Sequence, residues 1–170
     1  MGRAFDIIVW GATGFTGQLI AEHLCRTYGE GGALKWAIAG RNREKLETLR
    51  ESLSQLHSGM AELPILLGNA DEPASLQALA AQARVVCSTV GPYAKYGSEL
   101  VAACVEEGTH YCDLTGEPQW IRKMIDAHHE SAKAKGARIV HCCGFDSIPS
   151  DLGTWLVQDA AKERFGQPMQ

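Results

Sequence analysis

Short apolar runs alternate with segments of helical spacing along nearly the whole chain. Residues 5–10 are apolar over a strand's length, and residues 14–28 place Leu19, Ile20, His23 and Leu24 on one side of a helix. Residues 35–39 read as a second strand. Residues 43–56 space Leu46, Leu49, Leu53 and Leu56 by three or four, which predicts a helix. A third strand is expected at 63–67 and a short helix at 73–81, with Pro73 in its first turn. The valine-rich run 84–90 predicts a fourth strand, 96–107 a helix ended by Gly108, and 109–113 a fifth strand. Residues 118–135 predict a long helix with Gly136 as its C-terminal cap. Residues 137–142 predict a sixth strand, and 150–165 a last helix with Ser150 or Asp151 as N-cap.

The strand-like runs are continuously apolar rather than alternating, as expected of strands buried on both faces. Their regular alternation with helices predicts an α/β fold, a doubly wound and mostly parallel sheet of about six strands with helices on both faces. Neither a repeat nor a linker interrupts the pattern, so residues 1–170 read as one domain.

One turn carries candidate chemistry. Gly11-Ala12-Thr13-Gly14-Phe15-Thr16-Gly17 follows the first strand and opens the first helix. In that context Gly11 permits the tight turn, Gly14 lets backbone approach a pyrophosphate, and Gly17 lets the helix lie on the sheet. The helix N-terminus then offers free N–H groups and a positive dipole end to phosphates. Thr13 and Thr16 can add hydroxyl donors. The spacing is the wider G-x-x-G-x-x-G used by several dinucleotide-binding domains of the Rossmann type. The end of the second strand, which faces the adenine ribose in that fold, reads Ala39-Gly40-Arg41-Asn42-Arg43. It holds no carboxylate for a ribose 2′-OH, whereas Arg41 can pair with a 2′-phosphate. The expected cofactor is therefore NADP rather than NAD. Asp71, after the third strand, can accept from the adenine amino group or cap the next helix. Gly91, after the fourth, lies where the nicotinamide half is expected.

Composition narrows the partners. The 170 residues are 45% hydrophobic and 21% charged, and 16 Lys and Arg against 20 Asp and Glu give a net charge of −4. No basic cluster suggests nucleic acid or an anionic membrane. The first apolar run is too short for a secretory signal and no run approaches a membrane span, so the expected compartment is the cytoplasm. Cys25, Cys87, Cys104, Cys112, Cys142 and Cys143 form no C-x-x-C pair and read as reduced thiols, most of them buried. The histidines, including adjacent His128 and His129, lack metal-ligand spacing, so no metal is expected.

Five strings recur in the order of one known family: residues 11–17, Ala39-Gly40-Arg41, Val90-Gly91-Pro92-Tyr93, Asp113-Leu114-Thr115-Gly116-Glu117, and the long 144–153 string Gly-Phe-Asp-Ser-Ile-Pro-Ser-Asp-Leu-Gly. Over nearly its whole length the chain resembles the saccharopine dehydrogenase-like oxidoreductases, which include trans-acting enoyl reductases of lipid biosynthesis. The resemblance implies an N-terminal NADP-binding domain whose larger substrate domain is absent from these 170 residues, so that the fragment alone is expected to be inactive. It implies cofactor roles for Gly11, Thr13, Gly14, Phe15, Thr16, Gly17, Arg41 and Gly91, with Asp71 added from its position. The implied reaction moves hydride between NADP(H) and an amino-acid-derived imine or a lipid enoyl group. A homodimer is a further expectation.

Candidates for proton transfer are Tyr93, Tyr96, Asp113, Glu117, Asp146 and Ser147, all near the expected nicotinamide side. Asp146 and Ser147 can equally serve turn and cap chemistry, and Glu117 can cap a helix. Two other functions share the glycine turn. A short-chain dehydrogenase or epimerase needs a Tyr-x-x-x-Lys pair, but Gly32, Gly97, Leu100 and Thr115 follow the four tyrosines at that spacing. A dinucleotide-sensing regulator needs no catalytic residues at all.

Overall fold

A computed structural model describes residues 2–29 and 33–169. In chain order its elements are β1 (Phe5–Trp10), α1 (Phe15–Tyr28), β2 (Trp36–Gly40), α2 (Arg43–Leu56), β3 (Ile65–Leu67), α3 (Pro73–Ala80) and β4 (Ala83–Ser88). They continue with α4 (Tyr93–Tyr96), α5 (Ser98–Glu107), β5 (His110–Asp113), α6 (Pro118–Lys135), β6 (Ile139–Val140) and α7 (Ile148–Phe165). The strands form a sheet of order β3-β2-β1-β4-β5-β6. Every neighbouring pair is parallel. The two halves of the sheet run outward from the β1–β4 pair, which leaves a crevice beyond the carboxyl ends of these two strands, where open α/β sheets bind ligands.

The continuous apolar character of the strands is explained by burial on two sides. Ile8 and Val9 are neighbours, point to opposite faces, and are both fully buried. Ile8, Ala37, Val86 and Tyr111 pack beneath α3, α5 and α6. Val9, Trp36 and Ile38 pack beneath α1 and α2. On that second face the helical cover reaches β1 and stops. Beyond it, Cys87 and Cys112 are partly exposed and Val140 is half exposed. The apolar side chains of α7 are also uncovered, among them Leu152, Trp155, Leu156 and Phe165.

Several boundaries differ from those the periodicity predicts. The helix expected at 96–107 begins at Ser98, after the separate short helix α4; at the junction, a Cβ on Gly97 would meet the Trp120 ring at 2.7 Å and the Tyr93 carbonyl at 2.9 Å, so only glycine fits. β4 ends at Ser88 rather than residue 90. β6 keeps only Ile139–Val140, because Cys142 adopts φ 62°, a left-handed conformation that ends the extended run. α7 starts at Ile148, not 150. Ser147 occupies its N-cap without a side-chain hydrogen bond, and Pro149 fits the first turn, where no N–H is needed. Ser150 and Asp151 are therefore inside the helix, not caps. Gly108 and Gly136 do end their helices in the left-handed conformation, at φ 66° and 68°.

Candidate functional site

The glycine turn is built by backbone contacts at the carboxyl end of β1. Gly11 has φ +82°, a region that favours glycine, and a Cβ there would lie 2.5 Å from Val90 Cγ2. Its N–H and that of Ala12 donate to the Ala39 carbonyl at 3.0 and 3.2 Å, locking the turn to the end of β2. The Gly14 N–H donates back to the Gly11 carbonyl at 2.9 Å. At Gly17 a Cβ would sit 2.2 Å from the Gly11 carbonyl oxygen and 2.7 Å from Ala12 Cα, so the first turn of α1 packs directly on the loop. From the other side Thr89 Oγ1 donates to the carbonyls of Trp10 and Gly11, both at 3.1 Å.

What remains open in this turn is an anion site. α1 has Gly14 at its N-cap, no side-chain cap and no acidic residue in its first turn. Its first N–H groups lack intrahelical partners, and the dipole there is positive. A groove runs from the turn across the sheet ends. Gly11, Thr13, Gly14, Arg41, Asp71 and Gly91 line it. Of the other residues expected to touch a cofactor, Phe15 is 83% exposed, Thr16 is half-buried, and Gly17 is buried against the loop. At the groove floor Trp10 Nε1 is buried without a hydrogen-bond partner among the described residues.

Arg41 is exposed at the end of β2 and forms no ion pair among the described residues. Arg43, two residues on, lies 3.7 Å from Glu47. The N-terminus of α2 is capped by Asn42, whose Oδ1 accepts from Lys45 N at 2.9 Å. The guanidinium left at the groove is thus Arg41. Asp71 faces it from the β3 side with an exposed carboxylate and does not cap α3, where Glu72 holds the N-cap position.

A second polar cluster joins the ends of β4, β5 and β6. Asp113 is buried, and its carboxylate accepts from Tyr111 Oη at 2.9 Å, Thr115 N at 3.1 Å and Cys142 N at 3.2 Å. His141 Nδ1 lies 2.7 Å from the same carboxylate, and its ring meets Trp120 edge-on at 5.0 Å. Tyr93 donates to the Ser88 carbonyl at 3.0 Å and accepts from Leu114 N at 3.4 Å. Burial drives its phenol well above the ordinary range. The Glu117 side chain does not bond its own helix. Its oxygens accept from Tyr93 N at 2.7 Å and Ala94 N at 2.9 Å, capping α4 across the loop. The polar atoms of Tyr93, Asp113 and Glu117 are therefore engaged inside the fold. Tyr96 reaches the groove, while Asp146 is exposed in the turn before α7 and Ser147 is half-buried.

Sequence reasoning missed three residues here. Thr89 clamps the glycine turn, Trp10 floors the groove, and His141 completes the Asp113 cluster. The only available signal was position at a strand's carboxyl end, which all three share. Among the described residues no three His, Cys, Asp or Glu side chains are placed to hold a metal. Among the same residues no helix is long and apolar enough to cross a membrane.

Comparison with known proteins agrees with this geometry. Residues 7–140 match the saccharopine dehydrogenase NADP-binding domain family. A trans-acting enoyl reductase of Mycobacterium tuberculosis is 49% identical over 153 residues, covering 90% of this chain and 35% of the relative. One from Mycobacterium leprae is 45% identical over 166 residues, covering 97% of this chain and 38% of the relative. The chain thus spans little more than a third of the length of these relatives. Among solved structures, apo saccharopine dehydrogenase from Saccharomyces cerevisiae superposes with TM-score 0.72 at 15% identity, over 95% of this chain and 32% of that one. Triphenylmethane reductase from Citrobacter sp., solved with NADP(H), superposes with TM-score 0.59 at 18% identity, over 92% and 56%. Both show that the fold is shared.

Proposed function

Because the chain belongs to the saccharopine dehydrogenase NADP-binding domain family, we propose that it holds NADP(H) for hydride transfer to an enoyl-type substrate. The observation that carries the cofactor part is the pairing of an uncapped, glycine-floored helix N-terminus with an exposed guanidinium that has no acidic partner among the described residues. The pyrophosphate rests on the first turn of α1, approached closest at Gly14, with Thr13 and Thr16 as hydroxyl donors and Phe15 along its edge. Arg41 takes the ribose 2′-phosphate through charge-assisted bonds. Asp71 accepts from the adenine amino group, and Gly91 gives the nicotinamide ribose room. The residues present fit the group: Gly14 opens the backbone, and a neutral or acidic residue at position 41 would not.

When bound, the nicotinamide supplies the hydride; the chain's own residues bind, orient and shield it. Glu117 and Asp113 act on position, holding α4 and the β5 end beside the groove. An enoyl rather than an imine acceptor is favoured by the names of the mycobacterial relatives. The six cysteines, all free, are consistent with a reducing cytoplasm. The uncovered apolar side chains of α7 support assembly with a second copy.

Calorimetric titration of the chain with NADPH and NADH tests the reading. NADPH is expected to bind at least tenfold more tightly. Equal affinity, or no binding of NADPH, would overturn it.

A further inference from the structure

The sheet face that α1 and α2 leave uncovered carries two thiols side by side. Cys87 on β4 and Cys112 on β5 are register partners on adjacent parallel strands. Their in-line neighbours Val86 and Tyr111 belong to the opposite, helix-covered core, so strand alternation turns both thiols to the open face. Both are partly exposed, and Cys143 adds a further, exposed thiol at the end of that face. Adjacent strands hold paired Cα atoms about 4.7–4.9 Å apart, inside the roughly 4.4–6.8 Å range of disulfides.

We propose that Cys87 and Cys112 form a reversible dithiol–disulfide site that responds to hydroperoxides. The two thiols are unequal. The Cys112 thiol holds Cys87 below its ordinary pKa, whereas Cys112 itself is held far above its own by the same contact and by burial. Cys87 attacks and Cys112 resolves, an order that the sulfenic-acid trapping below tests. The Cys87 thiolate attacks a peroxide oxygen, the O–O bond breaks, and the departing oxygen leaves as water after taking a proton. Cys112 sulfur then attacks the Cys87 sulfenic acid, forming S–S and releasing a second water with the Cys112 proton. In net terms two thiols are oxidised by two electrons and one hydrogen peroxide is reduced to two waters. Reduction by a low-molecular-weight thiol restores the pair.

The test is oxidation of the 170-residue chain with hydrogen peroxide, alkylation of remaining thiols, and non-reducing peptide mapping. Trypsin places Cys104 and Cys112 on one peptide, so a Glu-specific protease is added to cut at Glu106 or Glu107. The expected product is a Cys87–Cys112 linked peptide lighter by two hydrogens than its parts, reversed by dithiothreitol. In Cys112→Ser the link is lost and Cys87 instead traps a sulfenic-acid probe such as dimedone. Cys87 and Cys112 both alkylated after oxidation, or linked only to Cys143, would overturn the assignment. The readout does not depend on NADPH, so it stands or falls apart from the cofactor reading.

Discussion

Replacing Gly17 by Ala should damage the fold, although alanine is the better helix former. The added Cβ would lie 2.2 Å from the Gly11 carbonyl oxygen, 2.7 Å from Ala12 Cα and 2.9 Å from the Ala12 carbonyl carbon. All three obstacles are backbone, and Ala12 is itself fully buried, so none can swing away. Overpacking of this kind costs about 1–3 kcal/mol, against a helix-propensity gain of about 1 kcal/mol. With three backbone atoms under 3.0 Å from the added Cβ the cost lies at the upper end of that range, so the expected net loss is about 2 kcal/mol, which for a domain of this size lowers Tm by roughly 4–8 °C. Gly14→Ala is the internal comparison. Its Cβ meets only the Gly11 oxygen, at 3.3 Å, and its φ of −77° is ordinary. That change should cost no more than about 1 kcal/mol while placing a methyl group at the proposed pyrophosphate site. Urea melts and NADPH titrations of both variants separate the roles: Gly17→Ala loses stability first, Gly14→Ala loses affinity first. A Gly17→Ala protein as stable as the parent would refute the claim that the helix must touch the loop there.

Arg41→Asp should invert cofactor preference, weakening NADPH at least tenfold while leaving NADH near its parent affinity; unchanged selectivity in calorimetry would remove Arg41 from the 2′-phosphate. Asp113→Ala strips the acceptor from Tyr111, Thr115 N, Cys142 N and His141 at once, so urea melts should show a loss of about 3–5 kcal/mol; a loss under about 1 kcal/mol would mean the cluster is not structural. Asp6 is held below the usual carboxylate range chiefly by the Lys35 N–H at 3.0 Å and then by Arg84 at 3.2 Å. A depressed folded pKa adds stability above the unfolded value of about 3.9 that is lost as pH falls through the folded one. Melting curves of the parent and Asp6→Asn should therefore differ at pH 6 and converge near pH 2; a constant gap across that range would contradict the role of these contacts.

Local pattern made much of this fold legible. Residues 5–10, 43–56 and 118–135 have the bounds that their apolar runs and helical spacing predict, because packing against the sheet selects the same face that the sequence makes apolar. The glycine turn was legible for the same reason, since its demands fall within seven consecutive residues. Contacts between distant segments left no such trace. Glu117 bonds the backbone of Tyr93 and Ala94, 24 and 23 positions earlier. His141 meets Asp113 across 28. Neither spacing is a period of helix or strand. The requirement for glycine at position 97 is also non-local, because the ring of Trp120 on another helix fills the space a Cβ would take.

The neighbouring of β1 and β4 has a consequence for how the protein comes into being. Phe5 pairs with Ala83 and Trp10 with Ser88, so the central seam of the sheet joins segments 78 residues apart. A ribosome delivering the chain from its N-terminus releases β1, α1 and β2 well before β4, and parallel pairings of long loop separation close slowly. Until β4 arrives, the glycine turn has one wall: Ala39 grips it, but Thr89 does not yet. The groove beside the glycine turn is thus complete only once β4 has paired with β1 and the two halves of the nascent domain have met.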